Sequence, residues 1–224
     1  MKFRNEYKHY ATNQDLIPLR KRLAAVMKRD RYTDSSGGYL IKSLYFDNCY
    51  DKALAEKLYG TEKREKFRIR YYNDNKDFIR LEKKSKIGGK CLKQGTRITE
   101  EQVRKILNDD IEWMIATQDE LICELWSKMQ YQMLRPKSIV VYDREAYVYE
   151  PGNVRVTIDS NIRGSNNVRG FLNEDTVMLQ TFRPSILEVK WDEFLPQIVR
   201  DIVQLDDAKT SSFSKYAAIR LATI

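Results

Sequence analysis

The sequence predicts an α+β fold in which an antiparallel sheet of about eight strands closes into a barrel that forms a tunnel, with helices packed outside. Six short segments alternate apolar with charged residues, and the charged residues are mostly Arg, Lys and Glu. A strand turns successive side chains to opposite faces, so each segment places its charges on one side. The strand patterns come from both halves of the chain, with helical patterns between them. The six segments are residues 3–8, 67–71, 81–84, 141–144, 154–159 and 187–191.

Strands are predicted where apolar residues alternate with polar ones, or where a short apolar run has turn-forming residues at both ends. Such turn residues lie at 35–38, 73–76 and 151–152. Residues 87–97 fit either a polar loop or a further short strand, and residues 160–176 are predicted to be a loop. In chain order, the predicted strands are 3–10, 39–47, 65–73, 77–86, 138–149, 153–159, 177–183 and 185–191.

Helices are predicted where apolar residues recur every three or four positions, as Leu16, Leu19 and Leu23 do. A capping box begins one helix at residues 99–102, and Ser211 or Ser212 is expected to cap the last. The predicted helices are 13–29, 49–58, 99–108, 110–134, 193–205 and a final one that ends near residue 222.

The length, charge and hydrophobic content of the chain limit the functions that it can have. At 224 residues with 42% hydrophobic side chains, the chain is expected to form a single domain, residues 1–224, with a real core. The net charge of +8 predicts an anionic partner, such as a nucleotide, polyphosphate, nucleic acid or an acidic membrane surface. Because no run of 18 apolar residues is present, no membrane span is expected, and the start lacks the apolar region of a signal peptide.

Cysteine and histidine usage excludes several kinds of site. Cys49, Cys91 and Cys123 are far apart and odd in number, which argues against a disulfide framework and a cysteine zinc site. A reducing, cytoplasmic localisation is therefore expected. With His9 as the single histidine, a histidine metal site or a catalytic triad is nearly excluded.

Arginines at alternate positions point to anion binding. Arg68 and Arg70 share a face of one predicted strand. An exposed strand face explains such a pair, and so does a double grip on phosphate, because the planar guanidinium binds oxyanions bidentately. Tyr142 and Arg144 share a face in the same way, as do the polar residues of 155–159, where a solvated sheet is again the alternative.

A Glu-x-Lys pattern recurs on three predicted strands. Cross-strand ion pairs explain any single case. Three cases favour a wall for metal and phosphate, because Mg²⁺ and Mn²⁺ take carboxylate and phosphate oxygens while a phosphate chain needs several cations. Ser214 and Lys215 begin a helix, where either a plain N-cap or an anion site fits. The three pairs are Glu6 with Lys8, Glu82 with Lys84, and Glu188 with Lys190.

Taken in order, these segments resemble the VTC domain, the polyphosphate polymerase branch of the CYTH-like triphosphate tunnel metalloenzyme superfamily. Each motif is weak alone, and the specificity lies in eight motifs that follow in the same order over residues 3–216. The motifs are Phe3-Arg4-x-Glu6-x-Lys8-x-Tyr10, Ser43-Leu44-Tyr45-Phe46-Asp47, Lys66-Phe67-Arg68-Ile69-Arg70-Tyr71, Leu81-Glu82-Lys83-Lys84, Tyr142-Asp143-Arg144-x-Ala146-Tyr147, Arg155-Val156-Thr157-Ile158-Asp159, Leu187-Glu188-Val189-Lys190 and Ser212-Phe213-Ser214-Lys215-Tyr216.

The resemblance implies phosphoryl transfer from ATP to a polyphosphate chain inside a basic tunnel, with Mn²⁺ or Mg²⁺ as cofactor. It implies ATP and polyphosphate as partners and no nucleic acid, and it leaves a membrane-protein partner open. Catalytic roles carry over to Arg68, Arg70, Lys84, Arg144 and Lys215. Phosphate-binding roles carry over to Arg4, Lys8, Lys86, Tyr142, Arg155, Lys190 and Ser214, with a further cation within 90–93. Metal-binding roles carry over to Glu188 and Glu6.

One departure separates the branches of the superfamily. The CYTH hydrolases begin with Glu-x-Glu-x-Lys, whereas this chain has Arg4-x-Glu6-x-Lys8. One carboxylate fewer and one cation more favour the polymerase over a triphosphatase or an adenylate cyclase. A triphosphate hydrolase and a sensor that binds polyphosphate without turnover stay as alternatives. A nucleic-acid binder is disfavoured, because duplex DNA needs an exposed basic stripe.

Overall fold

The computed structural model describes residues 4–35, 37–88, 90–181, 184–205 and 213–223. The strands are β1 (Asn5–Ala11), β2 (Lys28–Arg29), β3 (Tyr39–Asp47), β4 (Arg64–Tyr72), β5 (Asn75–Ile87), β6 (Lys90–Ile98), β7 (Arg135–Tyr149), β8 (Val154–Ser165), β9 (Leu179–Gln180) and β10 (Ser185–Trp191). The helices are α1 (Asn13–Val26), α2 (Lys52–Leu58), α3 (Glu100–Leu107), α4 (Trp113–Ala116), α5 (Glu120–Tyr131), α6 (Gln197–Ile202) and α7 (Lys215–Ala222). None of the helices in these ranges combines the length and the hydropathy that crossing a bilayer requires.

The chain divides into two compact units, each assembled from three separate segments. The first unit takes Met1–Leu40, Tyr142–Ile162 and Thr181–Phe213. The second takes Ile41–Val141, Arg163–Gln180 and Ser214–Ile224, so β7 and β8 contribute residues to both. That residues 1–224 form a single domain stays a prediction.

The first unit is a sheet with one apolar and one polar face. Its long strands follow the antiparallel order β1-β10-β8-β7, and β2 pairs with β7. Helix α1 begins at a capping box, in which Thr12 and Asp15 each bond the other's backbone N–H. Its apolar stripe packs on the apolar face of the strands, so the opposite face holds the polar residues. The core includes Leu16, Leu19, Leu23, Val156, Ile158, Leu187 and Val189.

The second unit repeats this division of faces. Strands β3, β4, β5 and β6 follow one another in antiparallel order. On β4 and β5 the odd-numbered Phe67, Ile69, Ile79 and Leu81 are buried, and helices α3 and α5 pack against β5. Most even-numbered positions of the same strands are charged, because side chains alternate along a strand. The odd-numbered Glu65 and Lys83 pair with each other, and Lys83 also contacts Glu124 of α5. The predicted α+β class with an antiparallel sheet is therefore confirmed.

The predicted closure into a barrel is wrong for the part of the chain that the structure describes. Its long strands form an open path, β1-β10-β8-β7-β3-β4-β5-β6, with β1 and β6 at the ends. Closure requires the hydrogen-bond ladder to continue from the last strand to the first. Strand β6 pairs with β5 and packs against α5, whose N-cap Asp119 accepts a hydrogen bond from the Thr96 hydroxyl at 2.7 Å.

Several predicted helices have different bounds. The predicted helices 49–58 and 193–205 are shorter, as α2 (Lys52–Leu58) and α6 (Gln197–Ile202). Helix α1 ends at Val26 instead of residue 29, because Met27 is extended and the next two residues pair with β7 as β2. The predicted helix 110–134 is two helices, since Gln118 has a φ of 56° and Asp119 then caps α5 with its carboxylate. A positive φ ends a right-handed helix, and apolar spacing alone does not signal it.

The remaining differences concern strand and helix ends. Residues 90–97 of the predicted segment 87–97 form most of β6, so the strand alternative is confirmed there. Strand β8 extends through Ser165 into the predicted loop, while only the two-residue strand β9 is found within the described part of 177–183. Ser214 is the N-cap of α7. The predicted caps Ser211 and Ser212 lie outside the described residues.

A buried carboxylate organises one end of the second unit. Asp47 ends β3 and accepts hydrogen bonds from the backbone N–H groups of Asn48 (2.9 Å), Ala53 (2.8 Å) and Leu54 (3.1 Å). The Tyr216 hydroxyl donates to the same carboxylate at 2.6 Å. Burial, together with this hydrogen bond, raises the pKa of Tyr216. Asp47 therefore holds α2 and the start of α7 against β3.

We expect Tyr216→Phe to lower the free energy of unfolding by about 1.5–3 kcal/mol, because it removes a hydrogen bond to a buried charged acceptor. Urea denaturation followed by circular dichroism measures the change. Tyr131→Phe is the matched control, since Tyr131 is 79% exposed. Equal unfolding midpoints for Tyr216→Phe and the wild type would contradict the role given to Asp47.

Candidate functional site

The strands of the first unit bring their charged residues to one face. Residues directly opposite in an antiparallel pair share a face, with Cβ atoms about 4.5–5.5 Å apart. The register places Glu6 opposite Lys190, and Lys8 opposite Glu188. Glu188 is in turn opposite Thr157 on β8. We call the following set the first polar face: Glu6, Lys8, Tyr142, Arg144, Arg155, Thr157, Asp159, Glu188 and Lys190.

Glu188 lies at the centre of the first polar face. It is only 5% exposed, and its Oε1 is 3.1 Å from the Lys8 ammonium. Its Oε2 is 3.1 Å from Lys190 and 3.9 Å from the Arg144 guanidinium. The Glu6 carboxylate lies 3.8 Å from Lys8 and 3.9 Å from Lys190. Three cations thus share one buried carboxylate, with a second carboxylate beside them.

Buried acids keep these cations charged and oriented. Arg144 makes a bidentate pair with Asp159 at 2.6 and 2.7 Å, and its guanidinium lies over the Tyr142 ring, 5.3 Å from the centroid. Burial alone would lower the pKa of Arg144, but Asp159 raises it well above its usual value. Burial acts the same way on Lys8, yet Glu188 and Glu6 raise its pKa to about 12. Both side chains are therefore cations at neutral pH.

Two predicted phosphate-binding arginines of the first unit differ in their placement. Arg155 lies opposite Lys190 and contacts the buried Asp30 at 2.5 Å and the Tyr39 hydroxyl at 2.8 Å. Arg4 precedes β1 and pairs with Asp192 at 2.9 Å. Arg155 therefore continues the first polar face, whereas Arg4 is held at the end of the strand and not at Glu188.

The second unit has its own charged face. The register places Tyr45 opposite Arg68, Arg68 opposite Glu82, and Lys84 opposite both Lys66 and Lys93. Because opposite residues share a face, these side chains form one surface. We call the following set the second polar face: Ser43, Tyr45, Lys66, Arg68, Arg70, Arg80, Glu82, Lys84, Lys86 and Lys93.

Glu82 occupies on this face the position that Glu188 has on the other. It is 2% exposed, and its Oε2 accepts from Arg68 Nε at 3.0 Å and Nη2 at 2.8 Å. Its Oε1 lies 2.8 Å from Arg70 and 2.7 Å from Lys93. Burial raises the pKa of Glu82, but the three cations outweigh it and lower the pKa to about 2.

The cations of the second polar face also act on one another. Burial and the repulsion from Arg70 lower the pKa of Lys93 to about 8, although Glu82 opposes the shift. Among the described side chains of 90–93, Lys93 lies at this cluster. Its ammonium consequently loses its charge at mildly alkaline pH.

Tyr45 links the second polar face to helix α7. Arg68 donates to its hydroxyl at 3.1 Å, and its ring stacks on Tyr216 with centroids 5.3 Å apart. Burial would raise the pKa of Tyr45, yet Arg68, Lys66 and Lys215 together lower it. Lys215, the first residue of α7, is therefore close enough to act on the Tyr45 hydroxyl.

The first polar face has oxygens that fit a divalent cation. The Glu188 and Glu6 carboxylates share Lys8 and Lys190, and the buried Thr157 hydroxyl opposite Glu188 has no hydrogen-bond partner among the described residues. Mg²⁺ is usually held by one or two carboxylates together with phosphate and water. No cluster of three or more His, Cys, Asp or Glu side chains placed to hold a metal occurs within the described ranges. The donor set therefore suits a metal that arrives with phosphate.

The structure brings most of the sequence-predicted residues into these two sets. Arg4 is held apart by Asp192. Ser214 caps α7 by accepting from the Ala217 N–H at 3.4 Å, and its phosphate-binding role stays a prediction. The first polar face contains Glu6, Lys8, Tyr142, Arg144, Arg155, Glu188 and Lys190. The second contains Arg68, Arg70, Lys84 and Lys86, with Lys215 beside Tyr45.

Sequence reasoning missed the acids that hold the predicted arginines. The alternation predicts Glu82 only as part of a Glu-x-Lys pair and Asp159 only as part of a polar strand face, with no role for either. The signal was present, since each is a carboxylate on a strand that alternates with apolar residues. The pairing of Glu82 with Arg68 and of Asp159 with Arg144 depends on contacts between strands.

Comparisons with known proteins agree with this architecture. Among solved structures, HpAC1 of Hippeastrum, described as an adenylyl cyclase candidate with a dominant triphosphatase activity, matches with a TM-score of 0.58 and 13% identity over 100% of this chain and 97% of that chain. The PH1012 protein of Pyrococcus horikoshii matches at 0.51 and 10% identity over 96% and 99% of the two chains. The PH1819 protein of the same organism matches at 0.50 and 15% identity over 98% of each. These similarities show a shared fold.

A search of curated proteins finds no significant match. The family model described as the VTC domain matches residues 3–223, nearly the whole chain, which confirms the resemblance predicted from the motifs. The chain therefore belongs to the VTC domain family.

Proposed function

We propose that this protein is a polyphosphate polymerase, which transfers the terminal phosphoryl group of ATP to a polyphosphate chain. The observation that carries the proposal is the clustering of three cations around one buried carboxylate on each polar face. Lys8, Lys190 and Arg144 meet at Glu188. On the other face, Arg68, Arg70 and Lys93 meet at Glu82.

Excess positive charge favours an oligophosphate over a smaller ligand. The first polar face holds four cations against three carboxylates and the second holds seven cations against one, so the excess of positive charge is largest on the second face, which can accept several phosphate oxygens. The acids orient the guanidinium groups before substrate arrives, which lowers the cost of reorganisation in the transition state. Arginine forks suit phosphate oxygens by geometry as well as charge.

The proposed reaction needs no nucleophile from the protein. A terminal oxygen of the acceptor chain, already an anion, forms a bond to the γ-phosphorus of ATP. The bond from that phosphorus to the β–γ bridging oxygen breaks, and its electrons leave with ADP. The cationic side chains hold the two anions in line and stabilise the charge that develops on the leaving diphosphate.

Under this proposal the side chains have separate tasks. Arg68, Arg70, Lys84, Arg144 and Lys215 stabilise the transferring and leaving phosphates. Lys8, Lys86, Lys190, Arg155 and Tyr142 position the remaining phosphates, while Ser214 and Arg4 support the ends of their elements. Glu188 and Glu6 would hold Mg²⁺ or Mn²⁺, which when bound neutralises phosphate charge.

Triphosphate hydrolysis is the second candidate, because HpAC1, which shares the fold, is described as a triphosphatase. A sensor that binds polyphosphate without turnover is the third. Incubation with ATP and Mn²⁺, with and without a short polyphosphate primer, distinguishes them on a gel. Chain growth with ADP release supports the polymerase, phosphate release alone supports the hydrolase, and binding without product supports the sensor.

The partners and location remain part of this proposal. ATP and polyphosphate are the proposed ligands, and nucleic acid is not one of them. A reducing, cytoplasmic location is proposed from the cysteine usage of the sequence.

Arg68→Ala is expected to cost about 2–4 kcal/mol of transition-state stabilisation, the usual effect of losing one preorganised donor. The rate of chain growth per enzyme at saturating ATP measures it. Arg104→Ala is the matched control, because Arg104 lies on α3 with a 58% exposed side chain. Wild-type turnover in Arg68→Ala would count against the second polar face as the site.

Glu188→Gln is expected to abolish Mn²⁺-dependent turnover while the circular dichroism spectrum stays that of a folded protein. The amide cannot supply the anionic oxygen that a hard cation prefers. Glu150→Gln serves as control, since that carboxylate is 84% exposed. Undiminished Mn²⁺-dependent activity in Glu188→Gln would remove Glu188 as the metal ligand.

The affinity for tripolyphosphate is expected to fall by about two- to fivefold as pH rises from about 7 to 9. This is the effect expected from losing one half-exposed ion pair with the ligand. The pKa of Lys93 is about 8, so its ammonium is charged below that pH and mostly neutral above it. Lys93→Arg should flatten the profile, because guanidinium stays charged. Isothermal titration calorimetry at several pH values tests this, and an identical slope in Lys93→Arg would contradict it.

A further inference from the structure

Each polar face contains one buried hydroxyl that makes no hydrogen bond to any described residue. Thr157 on β8 is 3% exposed, and its hydroxyl oxygen is enclosed without a partner. Ser43 on β3 is fully buried, and its hydroxyl is likewise without a partner in the described part of the chain. Thr157 lies directly opposite Glu188, and Ser43 directly opposite Arg70.

A buried hydroxyl without a partner destabilises the ligand-free protein. A hydroxyl that leaves water without a new hydrogen bond loses free energy, whereas an apolar group of similar shape does not. Valine has nearly the shape of threonine and suits a strand at least as well. Folding alone therefore gives no reason for a hydroxyl at either position.

The neighbouring groups explain why no protein atom accepts these protons. Lys and Arg side chains are hydrogen-bond donors only. Lys8 and Lys190 contact Glu188, which is opposite Thr157, and no Glu188 oxygen accepts a hydrogen bond from the Thr157 hydroxyl. Arg70, opposite Ser43, is paired to Glu82. Each hydroxyl thus lies among cations, where its natural acceptor is an oxygen of an anion that the same cations attract.

We propose that the Thr157 and Ser43 hydroxyls each donate a hydrogen bond to a phosphate oxygen of an oligophosphate bound at their own polar face. This inference rests on the proposed function and adds one neutral donor to the cations of each polar face. A hydroxyl donor selects among bound ligands by geometry, because it stabilises an acceptor oxygen at one position without adding charge. The two residues are phosphate-positioning groups of the first and second polar faces respectively.

Thr157→Val tests the inference through two measurements that change in opposite ways. Tripolyphosphate binding is measured by calorimetry with EDTA present, so that no metal contributes. We expect the affinity to fall about ten- to a hundredfold, the range for a hydrogen bond to a charged acceptor. The melting temperature without ligand is expected to stay equal to wild type or to rise. Ser43→Ala is expected to behave in the same way.

Two control variants separate ligand binding from structure. Thr157→Ser keeps the hydroxyl and should retain most of the affinity. Thr181→Val removes a hydroxyl that is satisfied, because Thr181 donates to the Ile162 carbonyl at 2.8 Å. Thr181→Val should therefore lower the melting temperature and leave the tripolyphosphate affinity of the folded protein unchanged.

The outcomes distinguish this inference from the proposed function. Wild-type affinity in both Thr157→Val and Ser43→Ala would overturn the inference alone. A Thr157→Val protein that melts well below wild type would also overturn it for Thr157, because the hydroxyl would then have a structural partner. A wild-type protein that does not bind tripolyphosphate would instead overturn the proposed function on which the inference rests.

Discussion

The mutual repulsion of closely packed cations is the constraint on which the rest of this structure depends. Arg68, Arg70 and Lys93 lie within ion-pair distance of one carboxylate, Glu82, and the low pKa of that acid shows how strongly they act on it. Glu188 holds three cations on the other face in the same way. Removing Glu82 would take away the carboxylate that Arg68, Arg70 and Lys93 share, and the loss of one partner of a buried ion pair is strongly destabilising. On the first face, Glu6 and Asp159 would still pair with Lys8, Lys190 and Arg144 if Glu188 lost its charge. The acids thus allow a dense cationic surface to exist before any ligand is bound.

The fold separates this electrostatic requirement from the hydrophobic one. In each unit, one face of the strands packs under helices and the other presents the charges, because side chains alternate along every strand. Elements outside the sheet then set the details of the polar face. Asp47 holds the start of α7 through Tyr216, the Tyr216 ring stacks on Tyr45, and Tyr45 in turn accepts from Arg68. The side chains proposed to meet phosphate are therefore anchored by neighbours, as preorganised catalysis requires.

The parts of this arrangement that are local in the chain could be predicted from the sequence. The alternation of side chains along a strand predicts that Arg68 and Arg70 share a face, as do Glu188 and Lys190. This prediction needs no knowledge of the partner strand. The convergence of Arg68 and Lys93 on Glu82 could not be predicted, since it depends on the register of β4, β5 and β6. The same limit explains the wrong barrel closure, which concerns strands at opposite ends of the order. The break between α4 and α5 at Gln118 could not be predicted, because the apolar spacing continues across it.

A crystal structure of the protein soaked with tripolyphosphate would test the central claim most directly, namely that the two polar faces are phosphate-binding surfaces. The account predicts phosphate oxygens within hydrogen-bond distance of Arg144 and Lys8 on the first polar face, or of Arg68 and Arg70 on the second. Glu188 and Glu82 should keep their ion pairs with the same cations. Tripolyphosphate bound only to residues outside both faces, with both clusters unchanged, would contradict the account.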